Sequence, residues 1–336
     1  MKKRISFILA VLMTIGAKAQ DPHFSQFFAS PLTLNPANTG RFDGSFRVAG
    51  NYRNQWPTIN NAFTTATLSV DFGILRGTLP EMDTWGVGFL VLSDQSGNKI
   101  LRNNFIGLST AYHKSLDEDG LNSIAIGFQA VYAQKRLDIT QAKFSDQITE
   151  LGFTNVSQDI FSQQNLNTSY LDMNTGILGS FSTNGRNSLY AGVSYYHVAR
   201  PKESLSGADF YLPARWTFHG GALLPLDDSK TFHASMLLQK QAGAMETIVG
   251  GAMSFLLSEE ESSPVQLYTG AWYRVGDAVI PYLGLEFRSI WFGFSYDINH
   301  SGLKTASQGR GGNEISIIYV RQPSDPRNRQ VECPRF

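Results

Sequence analysis

The sequence predicts an all-β chain: a transmembrane antiparallel up-and-down β-barrel of about fourteen strands, with an N-terminal non-strand segment packed at or in the periplasmic mouth. Three observations predict it. The chain opens on an export signal. Beyond that signal no run of about 20 apolar residues occurs, so no helix is expected to cross a bilayer. What repeats instead is a segment of roughly ten residues with alternating hydrophobicity, the signature of an outer-membrane strand.

The signal occupies residues 1–19. Lys2, Lys3 and Arg4 form a positive start, Ile5 to Ile15 is apolar, and Ala17-Lys18-Ala19 is an A-x-A site. Cleavage is expected between Ala19 and Gln20. No lipobox cysteine follows. The only cysteine is Cys333, so no intrachain disulfide is possible. Lys plus Arg equal Asp plus Glu at 28 each. That balance gives no electrostatic case for a nucleic-acid partner.

Residues 20–44 come next as a periplasmic or plug segment. "DPHFSQFFASPLTLNPANTG" has neither a helical nor a strand period. Pro22, Pro31 and Pro36 remove donors and fix φ, which bars it from a central strand. Phe24, Phe27 and Phe28 favour packing, since burying one such ring contributes about 1.5–3 kcal/mol. Asn35 before Pro36 and Asn38 near Gly40 are turn formers. The surface on offer is the Gly- and Ser-rich inner face of the strands that follow. The segment is therefore expected to present Phe24, Phe27, Phe28, Pro31, Asn35 and Pro36 to that wall or to a partner.

The barrel is expected over 45–322, with strand cores at 45–53, 62–72, 84–93, 103–113, 122–135, 169–182, 188–198, 213–224, 231–241, 245–257, 264–274, 279–288, 290–298 and 312–322. In "NSIAIGFQAVYA", Ile124, Ile126, Phe128, Ala130 and Tyr132 share one face and Ala125, Gly127 and Gln129 the other. In "IWFGFSYD", Phe292, Phe294 and Tyr296 oppose Gly293, Ser295 and Asp297. Large apolar residues suit lipid, and small or polar ones suit a confined lumen. A soluble sandwich would carry Lys and Glu on the second face. Tyr52, Trp85, Tyr112, Tyr132, Trp216, Trp272, Tyr273, Trp291 and Tyr319 sit near strand ends, as interfacial girdles require. Long connections alternate with short ones such as "LDEDG", "TNGRN" and "LDDSK", although "GILRGTLPEMDT" is longer than the rule expects. The alternation puts both termini in the periplasm, with 323–336 as a periplasmic tail.

The lumen face carries charges of both signs: Arg47, Arg53, Arg274, Glu286, Arg288, Asp297 and Glu314, together with Asp172 and Glu246. A selective pore favours rings of one sign. Mixed signs predict a cross-linked wall of ion pairs or contacts to a plug. No enzyme is predicted. The six histidines show no HExxH or paired metal spacing, and no cofactor or metal site is expected. His219 and Ser235 lie on neighbouring strands without a third partner, and a lumen histidine is the commoner explanation.

The opening block, Asp21, Pro22, Phe24, Ser25, Gln26, Pro31, Leu32, Asn35, Pro36, Ala37 and Gly40, then Arg47 and Tyr52 to Trp56, resembles the start of the PorP/SprF family of the type IX secretion and gliding system. "YLDMNTGILGSF", "LYAGVSYYHVARP", "GFSYDINHSGL", "GGNEISIIY" and the terminal "CPRF" continue the likeness. The resemblance implies an integral outer-membrane protein without catalysis. It also implies a role in export or surface anchoring of a cargo such as a gliding adhesin, and contact with periplasmic or outer-membrane subunits. A small-molecule or lipid channel is the alternative from the transport class.

Overall fold

The computed structural model describes residues 20–321, except 61, 76–77, 81, 140–144, 150–151, 155–156, 158–165, 206–208 and 259–263. The expected signal and the tail with Cys333 lie outside the described residues. Fourteen antiparallel strands close into a barrel. They are β1 (Phe46–Gln55), β2 (Phe63–Ile74), β3 (Thr84–Ser96), β4 (Leu101–Ser115), β5 (Ser123–Leu137), β6 (Leu166–Phe181), β7 (Ser188–Tyr196), β8 (Arg215–Pro225), β9 (Lys230–Gln241), β10 (Ala244–Ser258), β11 (Val265–Arg274), β12 (Ala278–Phe287), β13 (Ile290–Asn299) and β14 (Arg310–Arg321). Each expected core overlaps one of them. No described helix is long and apolar enough to cross a membrane.

Each strand pairs with its neighbour in sequence, and β14 pairs with β1 from Phe46↔Arg321 to Gln55↔Gly312. Closure leaves no free long edge around most of the wall, as a bilayer requires. Alternation places side chains as read from the sequence. Ile124, Ile126, Phe128 and Tyr132 of β5 face outward, as do Phe292 and Phe294 of β13. The girdle expectation needs two corrections. Trp272 and Trp291 are buried inside, because Tyr273 and Phe292 beside them take the outward parity.

One end of the barrel carries the connections 56–62, 97–100, 138–165, 197–214, 242–243, 275–277 and 300–309; the other carries 75–83, 116–122, 182–187, 226–229, 259–264 and 288–289. We call these the long-loop and short-turn ends. The 288–289 turn places Arg288 at φ +49° and Ser289 at φ +66°, the left-handed pair that a two-residue hairpin turn requires. Within the long connection 138–165, Ile148–Thr149 pairs with Gly152–Phe153 as a minute hairpin.

Candidate functional site: the filled lumen

The segment from Gln20 to Gly40 lies inside the barrel and fills it. Its single turns are built locally. A 3₁₀ turn covers Phe27–Ala29, an α-turn Pro31–Leu34 and a second 3₁₀ turn Pro36–Asn38. Pro31 and Pro36 each open a turn, where the missing N–H costs nothing. Asn35 caps the last turn by accepting from Ala37 N–H at 2.9 Å.

The segment packs within the lumen as expected and runs further than the mouth beside the termini. Asp21 and Pro22 sit at the long-loop end, against Asn103, Lys135, Tyr170 and Glu203. Gly40 sits at the short-turn end, where its N–H donates to Asp71 at 2.7 Å. The expectation that both termini share one side is therefore corrected. Residue 20 and residue 321 lie at opposite ends, because the chain traverses the lumen once before β1 begins.

Three polar clusters hold the segment. At the long-loop end, Asp21 accepts from His197 Nε2 at 2.7 Å and pairs with Arg215 at 3.1 Å, while His197 Nδ1 meets Asp172 at 2.7 Å. His197 stands just beyond β7. Burial alone would lower its pKa, but the adjoining Asp21 and Asp172 carboxylates outweigh that and raise it to about 9.

The second cluster gathers most of the predicted lumen charges. Glu314 accepts the backbone N–H of Ser25 at 2.7 Å and of Gln26 at 3.1 Å. Asp297 accepts from Ser25 Oγ at 2.8 Å and pairs with Arg53 at 2.9 Å and Arg274 at 2.8 Å. Arg274 also pairs with Glu246 at 2.9 Å, and Arg53 donates to the His23 carbonyl at 2.6 Å. All four of Arg53, Arg274, Asp297 and Glu314 are buried. In the third cluster Arg47 forks onto Asp71 at 2.7 and 3.0 Å and reaches the carbonyls of Asn38 and Arg41.

Two predicted members stand apart. Glu286 accepts from Tyr268 at 2.9 Å, away from these clusters. Arg288 is not in the lumen. It projects from the exposed 288–289 turn, where its guanidinium lies 4.9 Å from the Phe287 ring centroid. The strand ends at Phe287, one residue earlier than alternation suggested.

Apolar packing completes the fit. Phe24, Phe27 and Phe28 are buried, and Phe28 lies 4.9 Å from Trp272, 5.7 Å from Tyr282 and 6.3 Å from Trp291 by ring centroid. Glycine makes the approach possible elsewhere. A Cβ on Gly86 would meet Thr39 O at 2.2 Å, and one on Gly176 would meet Asn35 Oδ1 at 1.9 Å. Asn35 Nδ2 in turn bonds Ile177 O at 3.1 Å and His219 Nε2 at 3.0 Å. His219 therefore serves the plug. Ser235 is engaged elsewhere, accepting from Trp272 Nε1 at 2.9 Å. Among the described residues no group of three or more His, Cys, Asp or Glu is placed to hold a metal ion.

The sequence matches the profile of the family described as "Type IX secretion system membrane protein PorP/SprF" over residues 16–319. The chain belongs to this family. The match spans the plug and nearly the whole PorP/SprF barrel, so this is an outer-membrane component of a type IX secretion system. No curated protein matches the sequence. Solved structures of similar shape include the Ralstonia pickettii toluene transporter TbuX, at 10% identity and TM-score 0.48 over 86% of this chain and 92% of that one. A Pseudomonas aeruginosa FadL homologue is similar at 12% identity and TM-score 0.48, over 86% and 93%. The KdgM porin is more distant at 9% identity and TM-score 0.38, over 82% and 98%.

Proposed function

We propose that this PorP/SprF protein is a non-enzymatic docking and anchoring barrel. It holds a secreted cargo protein, such as a surface adhesin, at its long-loop end and meets periplasmic subunits of the secretion system at its short-turn end. One observation carries the reading: the chain's own segment occupies the lumen from end to end through buried ion pairs. A lumen sealed in this way favours a role for the outer surface and loops over passage of solute. Breaking a buried pair costs about 3–5 kcal/mol, so the plug is a fixed part of the barrel wall. The rival reading is a small-molecule or lipid channel.

Two measurements on the purified native complex separate these readings. Planar-bilayer recordings of the intact barrel are expected to show no porin-scale conductance, and removal of residues 21–40 is expected to produce it. Isolation in mild detergent is expected to retain a secreted surface protein. A large steady conductance of the intact barrel without any retained secreted protein would favour the channel.

A further inference from the structure

The ladder between β6 and β7 stops short. β6 runs from Leu166 to Phe181 and pairs with β5 along its whole length. β7 is much shorter and pairs with β6 only from Thr175 to Phe181. Beyond that point one bond continues, from Val198 N–H to Met173 O at 2.9 Å. The chain then leaves, because His197 adopts φ +60° and turns its ring inward to Asp172 and Asp21. The 197–214 connection follows it over the lumen mouth, where the Glu203 carboxylate meets Lys135 Nζ and the Tyr170 hydroxyl. Among the described residues it adds no ladder bond to β6 beyond that of Val198.

The polarity of the exposed edge follows from the hydrogen bonds that are made. The Met173 carbonyl points to the β7 side, so the odd-numbered residues Asn167, Ser169 and Leu171 point their backbone N–H and C=O the same way. Among the described residues no strand pairs with this edge. Side-chain exposure reports the same gap. Leu171 is 74% exposed, more than any other large hydrophobic of the described chain, and Met173 beside it is 57% exposed. The inward partners Asp172 and Asn174 are buried. Asp172 Oδ1 has no hydrogen-bond partner although it is buried.

We propose that the β6 edge from Asn167 to Leu171 is a strand-addition site for an extended segment of the secreted cargo. The proposal rests on the anchoring function above and names the element that does the holding. An edge of unpaired backbone donors and acceptors at the rim of an apolar band is satisfied by another backbone. Main-chain pairing gives such a site its affinity, and alternate side chains give it selectivity. The outward positions Leu171 and Met173 call for apolar neighbours at alternate residues of the incoming strand. The inward position Asp172, with its free oxygen, calls for a hydrogen-bond donor. His197 terminates β7 and also ties down Asp21, so the edge stays open while the plug end is in place.

Three measurements test this. In the isolated barrel, the amides of Ser169 and Leu171 are expected to exchange at least tenfold faster than those of Tyr170 and Asp172, which point to β5; equal protection of all four would overturn the proposal. In intact cells, p-benzoylphenylalanine at Ser169 is expected to cross-link the secreted protein that mild detergent retains. L171P removes a donor on the open side and leaves the β5 ladder intact, so it is expected to cut that cross-link at least tenfold while L171A keeps it. Unchanged cross-linking in L171P, or a product between two copies of this chain, would overturn the proposal and leave the anchoring function standing. Absence of a secreted protein both in the detergent isolate and at every cross-linker position, Lys202 on the loop face included, would overturn both. Should L171P fail to assemble, S169P removes the neighbouring open-side donor and is read in the same way.

Discussion

Gly127 of β5 faces Ala37 of the plug across a gap that admits no side chain: a Cβ on Gly127 would lie 2.3 Å from Ala37 N. The obstruction is backbone, held by the Asn35 cap, and cannot rotate away. Gly127→Ala is expected to destabilise the folded barrel by about 1–3 kcal/mol, the usual cost of overpacking. Gly107→Ala, whose new Cβ would meet nothing closer than Val131 Cγ2 at 3.4 Å, is expected to be near neutral. Denaturant titration in detergent micelles compares the two, and equal stability would contradict the packed plug.

Removing Asp297 leaves Arg53 and Arg274 buried with one fewer anion between them. Asp297→Ala is expected to cost about 3–5 kcal/mol, since an uncompensated buried charge is strongly unfavourable. The loss should appear first as proteolytic clipping between Phe24 and Leu34, while the wall stays intact. Wild-type protein is expected to resist the same protease.

The tie between Asp21 and His197 has a definite pH window. The His197 pKa is raised from its ordinary value of 6.5 to about 9, so its contribution is full below pH 6.5 and is lost as pH rises through 9. Clipping near residue 21 is expected to accelerate above pH 9 in the native protein. His197→Gln is expected to clip readily at every pH between 6 and 10, with no further rise.

Placement of the two chain ends is directly measurable. In a Cys333→Ser background, a cysteine at Gln20 and one at Lys202 are expected to react with an impermeant maleimide on intact cells. A cysteine at Asp119, in the 116–122 turn, is expected to react only after the outer membrane is opened. Labelling of Gln20 together with Asp119 would place the plug's start at the wrong end.

The barrel was legible in the sequence because it is written locally. Period-two alternation in segments such as Ile124 to Tyr132 sets which residues share a face, and glycine on the other face gives the wall its room. Proline and aromatic content likewise marked residues 20–44 as packed but not strand. The misreadings share one cause: alternation does not say where a strand stops or which parity an aromatic takes at its end. Alternation alone therefore puts Arg288 in the lumen and Trp272 and Trp291 in the girdle. The Asp21–His197 contact spans 176 positions and leaves no local trace. The truncation of β7 was equally hidden, since "YYHVARP" alternates smoothly into the residues that turn away.

The contact between Ser25 and Glu314 joins residues 289 positions apart. Glu314 belongs to the last strand, so the carboxylate that Ser25 and Gln26 bind arrives only with β14. Ser25 and Gln26 thus leave the ribosome early and find these partners late. Phe28 waits on Trp272, Tyr282 and Trp291 of β11 to β13, and loop-closure entropy must be met before these contacts repay it. Assembly of this barrel is consequently ordered: Asp21 meets His197 and Arg215, and Asn35 meets Ile177 and His219, on or beside earlier strands, while an intermediate lacking β14 holds the leading segment without its Ser25 and Gln26 bonds to Glu314.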